Sequence, residues 1–176
     1  MRSPDTYSAF MLDYAAGNLP PAMALAANIH RLMSSQGDEA ALLWESVREV
    51  LLDAKGESIQ LCKPEEPVAD ALDIIHTDFS EVRWRRGLSG VKYAPTSARV
   101  GQMMRLEPGQ NVYSHGHSAL EATVVLEGAL EDGHGIYKQG EILLADSGFK
   151  HRPAAHGNAA CTCYVARSRT PFWRLT

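Results

Sequence analysis

Cysteine is scarce in this chain of 176 residues: Cys62 and the pair in Cys161-Thr-Cys163 are all there is. An odd and sparse set does not build a disulfide framework, so thiols in a reducing compartment are expected. No run of about 18 apolar residues is present, which leaves no candidate for a membrane-spanning helix. The first residues, Met1-Arg-Ser-Pro-Asp-Thr-Tyr7, lack the basic-then-apolar order of a secretory signal. The cytoplasm is the expected location, with no membrane partner. Internal repeats, low-complexity tracts, a nucleophile elbow and a phosphate-cradling loop are also missing. Hydrolase and nucleotide-binding functions therefore find no support.

Charge of one sign is scarce in each half. Residues 1–78 carry 5 basic against 13 acidic side chains, net −8, and residues 79–176 carry 12 against 8, net +4. An acidic first half repels phosphate, so direct nucleic-acid binding is not expected, and a basic protein partner is compatible with it.

That first half reads as helices. Ser8 to Ala16 is a helical stretch ending at Gly17-Asn18, and Pro20-Pro21 stand where prolines open a following helix. Leu25, Ile29, Leu32 and Met33 form one apolar stripe there. A third helix is expected from Asp38, with Leu43, Val47, Val50 and Leu51 on one face, Trp44 beside them and Gly56 closing it. Short amphipathic helices must pack on each other and on something else. Lys55 to Pro67 reads as a linker, followed by a helical pattern through Ala69, Leu72, Ile74 and Ile75.

From about Phe79 the period changes to short apolar or alternating runs bounded by glycine and proline, among them Val100 to Leu106, Ala122 to Leu126, Glu141 to Leu144 and Cys161 to Val165. Such spacing suggests a barrel or a sandwich. Within it lies Gly109-x5-His115-x-His117-x3-Glu121-x6-Gly128. On a regular strand the even offsets place His115, His117 and Glu121 on one face. After a second turn, Gly140 to Gly148, comes His151. Three imidazoles and a carboxylate suit one divalent ion, zinc, iron, manganese or nickel. Cys161 and Cys163, two apart on a strand, share a face; redox-active thiols and small buried hydrophobes are both compatible with that. His134 and His156 read as loop histidines, with His156 the alternative to His151 as ligand.

The two glycine-bounded stretches resemble the signature motifs of the cupin family, with Asp146 where the second motif usually has proline. The resemblance selects the barrel, so a mainly β chain is expected, a C-terminal cupin (RmlC-like) barrel preceded by a small all-α domain. Nearly the whole chain is similar to ChrR-type anti-sigma factors, which join a helical anti-sigma domain to a C-terminal cupin. Tyr14-Ala-Ala-Gly17, His30, Trp84, the ligands of the first motif, His151 and Cys161-x-Cys163 carry that likeness. It implies a helical unit over 1–76 that masks an extracytoplasmic-function sigma factor, and a cupin over 78–176, favouring zinc, that answers photo-oxidative or peroxide stress. A cupin dioxygenase or isomerase acting on a small molecule is the alternative, and a homodimer through strand edges is compatible with either. Members of this type hold a second zinc through an N-terminal His and His-x3-Cys-x2-Cys. Here those positions are Asp5, His30, Ser34 and Gly37. With both thiolates gone, no second zinc is expected.

Overall fold

Proline and glycine set the limits of the helical half. The computed structural model describes residues 4–55, 65–87 and 89–168. Helix α1, Pro4–Ala16, stops at Gly17, whose φ of +74° lets its N–H return to the Tyr14 carbonyl. Helix α2, Pro21–Met33, has a proline at its first position, where a missing N–H costs nothing. Helices α3, Ser35–Lys55, and α4, Glu65–Ile75, follow.

Four sequence expectations need correction here. Helix α1 begins at Pro4, a turn before Ser8. Helix α3 begins at Ser35 rather than Asp38, because the Ser34 hydroxyl caps it, accepting the Gly37 N–H at 3.3 Å. Glu65 to Pro67, read as linker, are helical; Gly56 and Cys62 lie outside the described residues. In the stripe on α2, Leu25 and Ile29 are buried but Leu32 is exposed, since the buried arc runs through Ala26, Ala27, Ile29 and His30 toward the sheet. The face of α3 formed by Leu43, Val47, Val50 and Leu51 lies outside the core and is exposed. That helix joins the core through its first turns, by Ala41 with Ala40 and Trp44.

The second half is antiparallel. Strands β1 (Arg85–Arg86), β2 (Lys92–Pro95), β3 (Gln102–Leu106), β5 (Glu121–Glu127), β8 (Ile142–Ala145) and β11 (Cys161–Arg167) make a six-stranded sheet in the order β1-β2-β3-β11-β5-β8. Strands β6 (Ala129–Glu131), β7 (Ile136–Lys138) and β10 (Ala154–Ala155) make a second sheet, and β4 (His115–Gly116) pairs with β9 (Lys150–His151) in a third. Together they close a barrel around Leu106, Val125, Leu130, Leu143, Cys161 and Cys163.

Strands β5 and β11 are buried on both faces, which explains their unbroken apolar runs. Val125, Cys161, Cys163 and Val165 point into the barrel. Ala122, Val124, Leu126, Tyr164 and Ala166 point outward, into one core shared with Phe10, Met11, Met23, Ala26, Ala27 and Ile29 of the helices. The alanines of α2 permit close approach, and the Tyr164 hydroxyl donates to the Ala22 carbonyl at 3.0 Å. Each large side chain buried in that layer stabilises by about 1.5–3 kcal/mol.

Candidate metal centre

The structure brings His115, His117, Glu121 and His151 together, with one possible ligand atom from each within 4.8 Å of every other. One regular strand does not do this. His115 lies on β4 directly opposite His151 on β9, His117 makes a lone parallel bridge to Ser147, and the chain bends over 118–120 before Glu121 opens β5. The convergence is made across strands, and the even spacing within the motif only accompanies it.

The three imidazoles meet through Nε2. His117 Nε2 is 2.8 Å from His151 Nε2, which is 3.3 Å from His115 Nε2, with ring centroids 4.7–4.8 Å apart. His115 donates its Nδ1 proton to the Tyr113 carbonyl at 2.8 Å, so its Nε2 carries a bare lone pair. Such a bond is what holds a ligating histidine in its tautomer. Protons cannot relieve the whole crowd. Burial, followed by the neighbouring His117 and His115, pushes the His151 pKa down to about 4, and burial likewise lowers that of His117 against the pull of Glu121. Imidazoles whose Nε2 atoms gather at one point beside a carboxylate fit a divalent cation, which the four residues could hold. His151 Nδ1 is buried with no hydrogen-bond partner.

Glu121 is the most constrained of the four. Its Oε2 is 3.7 Å from His117 Nδ1 and accepts from Arg167 Nε at 2.6 Å. Beside the cluster lies a cavity of about 30 Å³ lined by Tyr93, Gln102, His115, Glu121, Thr123 and Arg167 among others. That is room for water rather than for a substrate.

The remaining candidates stand apart from the cluster. His156 Nδ1 pairs with Glu131 at 2.9 Å, and His134 Nε2 donates to the Lys150 carbonyl at 3.0 Å. Cys161 and Cys163 are fully buried in the barrel interior, with Sγ atoms 3.5 Å apart. The contact with Cys161 and then burial push the Cys163 thiol well above its usual range, so the thiolate that oxidants attack is disfavoured there.

With no second zinc expected, sequence reasoning left His30 without a role, and the structure supplies one. His30 is fully buried. Its Nδ1 lies 2.7 Å from the Gly140 carbonyl, which can only accept, so Nδ1 donates and Nε2 takes the proton of the Tyr7 hydroxyl at 2.9 Å. The other positions of the thiolate pattern are occupied as well: Ser34 caps α3, and a Cβ on Gly37 would stand 2.6 Å from the His30 carbonyl oxygen. A cysteine at 37 would not fit this packing. The barrel turn presses equally closely, since a Cβ on Gly140 would run into the Met33 carbonyl.

The family described as ChrR Cupin-like domain matches residues 73–171. The chain is similar to the Anti-sigma-E factor ChrR of Cereibacter sphaeroides, 31% identical over 135 residues, 75% of this chain and 62% of that protein. It thus spans less than two thirds of that relative. Its fold is similar to a chain in the crystal structure of Rhodobacter sphaeroides SigE in complex with the anti-sigma ChrR, with a TM-score of 0.74 and 28% identity over 92% of this chain and 96% of that one. A lesser likeness, TM-score 0.42 and 17% identity, is to the Drosophila melanogaster CENP-C cupin domain, over 50% of this chain and 76% of that one. With the cupin-like match covering more than half of the sequence, on a barrel that holds three histidines and a glutamate at one point, the chain belongs to the ChrR cupin-like family.

Proposed function

We propose that this chain is an anti-sigma factor: residues 1–76 hold an extracytoplasmic-function sigma factor, and residues 78–176 form a metal-bearing cupin that senses or transmits an oxidative signal. The similarity to the Anti-sigma-E factor ChrR and to the SigE complex supports the partner class.

The observation that carries the reading is the uncovered face of α3. Leu43, Val50 and Leu51 are 60%, 69% and 60% exposed, and Val47 lies among them. Their i, i+4, i+7, i+8 spacing is that of a helix laid into a partner's groove. Exposed Glu39, Glu49 and Asp53 on the same helix favour a basic rim on that partner. A patch of this kind on a helix anchored in the core by its first turns calls for a protein to cover it.

His115, His117, Glu121 and His151 would hold the ion, zinc on the family resemblance. A divalent ion there would supply a Lewis-acidic centre that ties β4, β5 and β9 together, so that its gain or loss would change the barrel. The enzymatic alternative needs a chamber: ligand pockets run to about 300–1,000 Å³, whereas the cavity beside the cluster is about 30 Å³. That size favours regulation over turnover.

The test is co-expression of the full chain with the extracytoplasmic-function sigma factors of its host. One of them should co-purify at near-equal stoichiometry. The pair Leu43→Glu and Val50→Glu should weaken that complex by at least about 100-fold, as loss of interface anchors does, with the helical content of the free chain unchanged. A double variant that binds as well as the parent would remove α3 from the interface.

A further inference from the structure

We propose that Arg167 competes with the bound ion for Glu121, and so sets how tightly the barrel holds its metal. This rests on the metal-centre reading and is independent of any sigma factor.

The pairing is built into the sheet. Glu121 is the first residue of β5 and Arg167 the last of β11, and the antiparallel register sets them directly opposite each other. The carboxylate is buried, its side chain 6% exposed, whereas Arg167 is 64% exposed. A buried carboxylate needs a counter-charge. Without an ion, Arg167 is that charge, 2.6 Å away on Oε2. The same Oε2 lies 3.7 Å from His117 Nδ1, the ring nitrogen opposite the one that faces His151.

Two cations therefore claim one carboxylate. An ion on Glu121 must share its charge with Arg167, whose bond to Oε2 also sets how the carboxylate is turned, and the two members of that pair differ in freedom. Glu121 is fixed in the barrel wall; Arg167 sits at the mouth and can turn into water. The arginine is a positioning residue that holds the fourth ligand when the site is empty and yields it on loading. It makes the centre exchangeable, with an occupancy that follows the supply of ion, where a carboxylate without a rival would keep its metal.

Titration of the metal-free full-length chain with Zn2+ against a chromophoric chelator tests this. Arg167→Met keeps most of the stem and removes the charge; it should bind Zn2+ at least about tenfold more tightly, opposite in sign to the roughly 10–100-fold loss that follows removal of a partner that supports its ligand. The same substitution should lower the stability of the metal-free chain and leave that of the loaded chain unchanged. In a Glu121→Gln background the gain should vanish. Equal or weaker binding by Arg167→Met would overturn the inference. A gain that persists in the Glu121→Gln background would overturn it too, because the effect would then be general electrostatics. A parent chain that takes up no Zn2+ would remove the metal centre itself, a failure distinct from the other two.

Discussion

The two histidine sites of this molecule solve opposite problems. In the helical half one imidazole, His30, has an oxygen on each nitrogen, the Gly140 carbonyl on Nδ1 and the Tyr7 hydroxyl on Nε2. In the barrel three imidazoles turn Nε2 toward Nε2, at 2.8 and 3.3 Å, and one of them already spends its Nδ1 proton on a carbonyl. The first site is complete as a hydrogen-bonded joint between helix α2 and a barrel turn. The second is a set of ring nitrogens gathered at one point, where a cation would fit. A histidine whose neighbours supply two oxygens, with a capping hydroxyl at 34 and a glycine at 37, is structural.

The largest expected difference is in metal content. His151→Ala should cost more than the roughly 10–100-fold in affinity lost when only a ligand's hydrogen-bond partner is changed, whereas His30→Ala should leave metal analysis at one ion per chain. Equal losses in the two variants would erase the distinction. In urea denaturation the order reverses: His30→Ala opens a cavity and takes the side-chain donor from the Gly140 carbonyl, for a loss of about 2–4 kcal/mol. Restoring the thiolates should not restore a second site. Ser34→Cys with Gly37→Cys removes the cap of α3 and crowds the His30 carbonyl, for a loss of about 1–3 kcal/mol and no added zinc; a chain that gained a second zinc would show His30 still available as a ligand.

The smallest and most graded effect is that of pH on the metal-free chain. The folded pKa of His151, near 4, lies below its ordinary value of 6.5, so the unfolded chain takes up its proton first as pH falls. The contribution is fully present above pH 6.5 and is lost as pH falls from there through about 4. Unfolding midpoints of the metal-free chain should drop across that window, and His151→Ala should flatten the drop.

The gathering of His115, His117, Glu121 and His151 was legible in the sequence because residue types, glycine turns and a second motif point to one place without any need for exact strand geometry. Their convergence was not legible in detail: β4 is two residues long, and Glu121 reaches the cluster from a different strand. The period of α3 was equally clear, yet Leu43, Val47, Val50 and Leu51 lie outside the core, because one stripe pattern serves both a core and a partner surface. His30 was beyond reach since its acceptor lies 110 residues away in a barrel turn. Arg167 was missed for a related reason. Only the register of β11 on β5 brings it opposite Glu121.

Metal analysis of the chain purified in complex with its sigma factor puts the central claim to the most direct test. The account predicts a complex of one sigma factor per chain containing one divalent ion, lost with His151→Ala and retained with Ser34→Ala. A complex with two ions per chain, or one that keeps its ion without His151, would contradict it.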